Sequence, residues 1–315
     1  MNATTYSNHT VTRYKQVVRL LPSTYEKTFA KTFKFPETLD EDFDNIVQML
    51  TTKYKSSTLP NCISGIIWGL DTFDSKDTYN DAYIQTIKEK YKLLNSKLIA
   101  DSFKHSLSDD KGLSEREKKT YQTWDAIMNM YYTMAKQLDR DNFNSFLEFV
   151  IISLYVLHPP VRADYANMRV FVDDSYVPDD FKENYCVLQT NPRFVFNQYK
   201  TAKKYGQTVV NMNEELHDIL LDWMSINPTD YLLVSYVQYK KEYKPYVESA
   251  LCHRIPLIFK KYTNIPSTIN TMRHSYITYI SNSEATLANL LTKKDNSTNM
   301  MHSLNMAEGY KRVMS

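Results

Sequence analysis

Tyr185-Cys-Val-Leu-Gln-Thr-Asn-Pro-Arg-Phe-Val-Phe-Asn-Gln-Tyr-Lys-Thr-Ala-Lys-Lys-Tyr-Gly-Gln-Thr-Val-Val-Asn211 is the stretch that decides the fold. It holds three short runs, Cys186-Val-Leu-Gln, Phe194-Val-Phe and Thr208-Val-Val, separated by Asn191-Pro192 and by Lys203-Lys204-Tyr205-Gly206. β-branched and aromatic side chains suit a pleated, half-buried surface, and Pro and Gly punctuate the chain between them. The pattern predicts a three-stranded antiparallel sheet joined by turns. Around it the apolar period is helical. Leu216, Ile219, Leu220 and Trp223 follow a 3-and-4 spacing, and helical periodicity dominates from there to the end. Upstream, Arg140 to Leu157 predicts a helix that stops at Pro159-Pro160.

Further upstream the pattern is also helical. Residues 1–39 are polar and weakly patterned, which predicts an N-terminal arm with short helical pieces. In 40–110, Phe43, Ile46, Val47 and Leu50 form one apolar stripe, and Tyr83, Ile84, Ile87, Tyr91 and Leu94 form a second. A small helical domain is expected there. Ser106-Leu-Ser-Asp-Asp-Lys-Gly112 has linker composition. Ser114-Glu-Arg-Glu117 is a capping-box pattern, predicting a long helix through Trp124, Ile127, Met128, Tyr131 and Tyr132. A second domain is placed at 114–315. The expected fold class is mainly α with a small antiparallel β-sheet, in two domains.

Composition removes several function classes. The 315 residues carry 43% hydrophobic and 23% charged residues, the balance of a folded chain. A net charge of +2 makes no case for nucleic acid by itself, so any DNA-binding face has to come from local Lys and Arg clustering. Five glycines leave no phosphate-cradling GxGxxG or GxxxxGK loop. Cys62, Cys186 and Cys252 lie far apart without a CxxC or a His at metal spacing, so no metal or cofactor is expected. They fit a reducing compartment as small core residues. The greasy run Phe146 to Leu157 contains Glu148 and is too short to span a bilayer. The polar residues after Met1 lack the apolar core of a secretory signal, so an intracellular, non-secreted protein is expected. Abundant Lys, Asn and Tyr with scarce Gly suggest an AT-rich coding genome.

Four stretches bear chemistry. Leu157-His-Pro-Pro-Val-Arg162-Ala-Asp-Tyr165 puts an Arg after a helix-ending Pro-Pro, where a new helix is expected to start and a planar guanidinium is placed to grip a phosphate. Phe196-Asn-Gln-Tyr-Lys200-Thr-Ala-Lys203-Lys204-Tyr-Gly206 puts Lys-Thr at a hairpin tip, from which an ammonium can enter a DNA groove. Ile265-Pro-Ser-Thr-Ile-Asn270-Thr-Met-Arg273-His274-Ser-Tyr-Ile-Thr278 offers Ser267 or Thr268 as a cap for a helix presenting Asn270 and Arg273 on one side. Before it, Lys240, Lys241, Lys244, Arg254, Lys260 and Lys261 interleave with tyrosines, a composition suited to tracking a phosphate backbone. The last stretch is Met301-His302-Ser-Leu-Asn-Met-Ala-Glu-Gly309-Tyr310. Alone, each has a plainer reading: a surface Arg, a solvated turn, a lysine-rich helix face, one structural tyrosine among 25.

Their order changes the odds. Arg, hairpin Lys, helix-start Arg, His and a late Tyr, in that sequence, resemble the catalytic domain of the tyrosine recombinase (phage integrase) family. Arg162 matches the family's first Arg and Lys200 its hairpin Lys, with Lys203 as the fallback. Arg273 in Thr-Met-Arg-His-Ser-Tyr-Ile-Thr matches the second Arg, and His302 and Tyr310 match the last two elements. The segment at about 40–106 resembles the core-binding domain by position, and Pro-Pro-x-Arg-x-Asp-Tyr resembles versions from large DNA viruses and protist mobile elements. The chain departs from the family pattern in placing Asn270 where a His is usual; Asn can hydrogen-bond a phosphate but carries no proton. Tyr165 stands where an acidic residue is usual, with Asp164 one position early. His302 and Tyr310 are eight apart rather than nine, and five residues follow Tyr310, too few for the family's docking helix.

The resemblance implies a site-specific DNA recombinase or integrase, working without ATP or metal. Tyr310 would form a 3′-phosphotyrosyl link, Arg162 and Arg273 would clamp the phosphate, and Lys200 would protonate the leaving 5′-oxygen. His302 and Asn270 would hydrogen-bond the phosphate while Asp164 orients Arg162. Double-stranded DNA is the implied partner, with a homo-tetramer on paired sites and no membrane. A viral origin would place it in the host cytoplasm, at a viral factory, or in the nucleus. A type IB topoisomerase, a telomere resolvase and a non-catalytic DNA-binding relative are the alternatives.

Overall fold

The computed structural model describes residues 6–73, 79–106 and 112–282. Two compact units divide the chain, 1–108 and 109–315. Among its described residues the first unit holds five helices: α1 (Asn8–Phe29), α2 (Glu37–Glu41), α3 (Phe43–Lys53), α4 (Leu59–Thr72) and α5 (Asp81–Ser106). The stripes predicted around Ile46 and Ile84 line its core, with Leu50, Ile87 and Tyr91 buried.

The expectation of an arm with short helical pieces is overturned. α1 is 22 residues long, capped by Ser7, whose hydroxyl accepts the Thr10 backbone N–H at 3.2 Å. Val17, Leu21 and Tyr25 recur every four residues and join the core, although Pro22 forfeits one helical hydrogen bond. α4 receives α1 through two glycines one turn apart. A Cβ on Gly65 would stand 3.0 Å from the Val17 Cβ, and one on Gly69 would stand 2.7 Å from the Val18 Cγ2. Only hydrogen at these two positions allows the backbones to approach so closely.

The second unit opens with α6 (Glu115–Lys118), where the capping box forms in both directions: Ser114 Oγ accepts the Glu117 N–H and the Glu117 carboxylate accepts the Ser114 N–H. The long helix expected from it is two helices instead. α7 (Trp124–Lys136) restarts at Thr123, whose hydroxyl caps the Ala126 N–H. The break frees the Thr120 carbonyl and the Gln122 side chain to bind Ser267. α8 (Phe143–Val156) is buried from Phe146 to Val156 without interruption and forms the centre of this core. Its one carboxylate, Glu148, is held at 2.7 Å by both Arg254 and Lys261.

The remaining elements are β1 (Arg169–Phe171), β2 (Tyr185–Val187), β3 (Arg193–Phe196), α9 (Ala202–Tyr205), β4 (Thr208–Asn211), α10 (Glu214–Ile226), β5 (Val234–Val237), β6 (Glu242–Pro245), α11 (Glu248–Thr263) and α12 (Ile269–Asn282). The predicted three strands form β2, β3 and β4, antiparallel throughout, and β1 adds a fourth that runs parallel to β2. β5 and β6 pair as a separate hairpin, with Tyr236 opposite Tyr243, where continuous helix was expected. Its turn, Gln238 to Lys241, contains no Gly, Asn or Pro, so the sequence carries no turn signal there; Lys241 itself takes φ 51°. Cys62 and Cys186 are buried, but Cys252 is exposed rather than in the core. The expected linker at 107–111 lies outside the described residues. The described residues are mostly helical, with two small sheets.

Candidate active site

α8 ends at Val156, just before Pro159-Pro160, and the chain then turns through 161–167. No helix starts at Arg162, contrary to expectation. The reason is what the turn anchors. Tyr155 donates its hydroxyl to the Arg162 carbonyl at 2.8 Å, and Tyr165 is buried edge-on against Tyr155, Phe194 and Phe196. Tyr165 is therefore a core side chain, which leaves the adjacent Asp164 to face the arginine. Asp164 Oδ2 accepts the Arg162 backbone N–H at 3.2 Å. The Arg162 side chain is half-buried, and its Nη1 is buried with no hydrogen-bond acceptor among the described residues.

α12 brings the second arginine to the same turn. Thr268 and Thr271 cap the helix reciprocally, each hydroxyl accepting the other's backbone N–H. Ser267, fully buried, fixes that end by donating to the Thr120 carbonyl at 2.7 Å while accepting from Gln122 at 2.8 Å. Arg273 is 0% exposed, and its Nη1 donates to the Pro160 carbonyl at 2.5 Å. Both guanidinium groups act on Asp164. Burial pushes its carboxyl up to about 6, against the pull of Arg162 and Arg273. Glu248 adds its own charge to the burial that pushes Asp164 up, so two guanidinium groups and two carboxyl groups act on one another around this turn. Asn270, one turn before Arg273 on α12, is exposed, whereas Arg273 is buried.

Lys200 lies between β3 and β4 in a built connection rather than a bare hairpin tip. α9 occupies it, and its base is closed by Tyr199, whose hydroxyl donates to the Gly206 carbonyl at 2.8 Å, and by Gln207, which donates to Asn197 at 2.7 Å. Gly206 sits at φ 72°, ψ −157°, a conformation essentially reserved for glycine. Lys200 and Lys203 are both exposed.

The basic, aromatic stretch divides between two elements. Lys240 and Lys241 lie at the β5–β6 turn beside Tyr239, which is 83% exposed, and Lys244 is on β6. Arg254, Lys260 and Lys261 are on α11, where Arg254 and Lys261 bind Glu148.

His302 and Tyr310 lie outside the described residues. Two residues of this neighbourhood escaped the sequence reading. His158 is buried edge-on to Phe194, its ring held down to about 4 by burial and its Nε2 without a partner among the described residues. The other is Asn184, buried before β2. An Asn preceding a β-run reads as an ordinary turn residue, and nothing in the sequence marks it. Among the described residues no group of three His, Cys, Asp or Glu is placed to hold a metal ion. Among them, too, no helix is long and apolar enough to cross a membrane.

No protein-family model matches the chain, and no curated protein matches it. Among solved structures, the crystal structure of XerA recombinase is a distant structural neighbour. It is 15% identical, with a TM-score of 0.40, and the match covers 98% of this chain and 89% of that one. A likeness at that level assigns no family.

Proposed function

We propose that this chain is a tyrosine recombinase that cleaves and rejoins DNA strands through Tyr310. The observation that carries the reading is the paired placement of Arg162 and Arg273 at one turn beside Asp164, with a buried Arg162 Nη1 that has no acceptor among the described residues. A tetrahedral phosphate offers several anionic oxygens to such a pair. The sequence order of Arg162, Lys200, Arg273, His302 and Tyr310 supplies the rest.

In this reading the Tyr310 phenol loses its proton and bonds to phosphorus, and the bond from phosphorus to the 5′-oxygen breaks. Lys200, with Lys203 as its alternate, donates the proton that the departing oxygen needs. The arginines stabilise the charge on the non-bridging oxygens, each contributing roughly 10²–10³ in rate. Asp164 orients Arg162, while His302 and Asn270 hydrogen-bond the phosphate. The phosphotyrosyl bond conserves the energy needed for rejoining, so no ATP is consumed. The proposed assembly is a tetramer on two double-stranded sites.

A nicked suicide substrate, from which the cleaved end diffuses away, tests this directly. Wild type is expected to form a covalent protein–DNA adduct and Tyr310→Phe none. Adduct from both would move the nucleophile to another residue. DNA binding without adduct from either would make the chain a non-catalytic binder. Relaxation of supercoiled plasmid without joining of two sites would mark a type IB topoisomerase instead, and hairpin-ended products a telomere resolvase.

A further inference from the structure

The Asn184 side chain makes four hydrogen bonds, and together they link two parts of the candidate site. Its Nδ2 donates to the Asp164 carbonyl at 3.0 Å and to the Gln198 carbonyl at 2.9 Å. Its Oδ1 accepts the backbone N–H of Asn197 at 2.9 Å and of Gln198 at 2.8 Å. The side chain is thereby saturated: an amide has two donors and an acceptor oxygen with two lone pairs, and all are used. Such an amide is buried at high cost unless every group is paired, and here every group is paired to backbone. Backbone partners do not rotate away, so the link is rigid.

The two parts it joins are the turn that carries Arg162 and the strand end that leads to Lys200. Because one nitrogen binds both carbonyls, the Asp164 and Gln198 oxygens lie within about 6 Å of each other. Lys200 follows Gln198 by two residues, a reach of at most about 7 Å of chain. The Asn184 backbone carbonyl also accepts the Arg169 N–H at 3.1 Å, at the start of the β1–β2 pairing. Asn197 strengthens the far side, its Nδ2 bonding the Glu183 carbonyl at 2.8 Å while its Oδ1 accepts from Gln207.

Resting on the reading above, we infer that Asn184 is a positioning residue that sets Lys200 against the phosphate held by Arg162. It touches neither the phosphate nor the leaving group; it fixes the distance between the clamp and the proton donor. Loss of Asn184 should therefore remove acid catalysis while leaving the nucleophile and the arginines in place.

The leaving group separates this from a general structural role. A 5′-bridging sulfur in place of oxygen departs as a thiolate and needs no proton, so it bypasses a misplaced acid. With an ordinary nicked substrate, Asn184→Ala is expected to form adduct at least about tenfold more slowly than wild type. With the sulfur-bridged substrate it should return to within about threefold, as Lys200→Ala should. Asn184→Gln retains the amide but lengthens it by a methylene, so it keeps a polar partner in the buried site and should show the same selective loss. Equal loss on both substrates in both variants, or no loss on the ordinary one, overturns the inference. Wild type inert towards both substrates overturns the parent reading, and this inference with it.

Discussion

Asp164 and His158 lie six residues apart, and burial shifts them in opposite senses. Asp164 holds a proton in the folded chain up to about pH 6, whereas the unfolded chain releases it near 4. Between those values the folded state binds more protons, so this group makes stability fall as pH rises, and its full cost is present above pH 6. His158 does the reverse. The unfolded ring takes a proton near 6.5, but the folded ring refuses it until about 4, so this group makes stability fall as pH drops. Each effect amounts to about 3 kcal/mol, and over pH 4–6 the two nearly cancel. Asp164→Asn should expose the histidine slope, with a thermal midpoint that climbs from pH 4 to 6.5 and exceeds wild type at pH 7.5. His158→Phe should expose the opposite slope. Thermal unfolding of the three proteins across pH 4–8 measures this; parallel profiles would refute it. The sequence had singled out Asp164 but not this opposition, because the burial of His158 depends on Phe194, 36 residues away.

At the scale of elements, what the sequence revealed follows how local each signal is. β2, β3 and β4 were legible because β-prone runs and turn residues alternate within 27 residues. α1 was obscured by its polar surface and by Pro22, although Val17, Leu21 and Tyr25 carry a helical stripe. The β5–β6 hairpin was invisible because its turn, Gln238 to Lys241, lacks the residues that announce one. In the recombinase reading this hairpin acquires a specific expectation. Lys244 pairs with Glu242 at 3.1 Å, Lys240 and Lys241 lie exposed at the turn, and Tyr239 stands in solvent beside them. Lys240→Ala combined with Lys241→Ala should weaken binding to DNA of any sequence and lower the salt slope of log K by up to about 2. An unchanged slope would exclude the hairpin from the DNA interface. The site follows the same rule: the order of the arginines was legible, but their meeting was not, because the Arg273–Pro160 contact spans 113 residues.

At the scale of the whole molecule, each unit has its own apolar core, one around Ile63 and Ile87, the other around α8. Injury to one should therefore spare the other. Gly65→Leu drives a side chain into the Val17 Cβ, which no rotation can remove, so α1 and α4 must separate, at a cost of about 1–3 kcal/mol or more. Hydrogen exchange should accelerate in α1 and α4 while the amides of α8 keep their protection; faster exchange in all three would mean a single cooperative unit. α8 has a further consequence, in the cell. Its burial is completed partly by residues of α11 such as Ile255 and Phe259, about 100 positions later. At roughly 5–20 residues per second, a ribosome leaves that greasy helix without its cover for about 5–20 s. During that interval the nascent chain presents eleven consecutive residues destined for burial, Phe146 to Val156, of which all but Glu148 and Ser153 are apolar or aromatic. Chaperone capture of translation intermediates should accordingly peak once α8 has emerged and fall once α11 has followed it out.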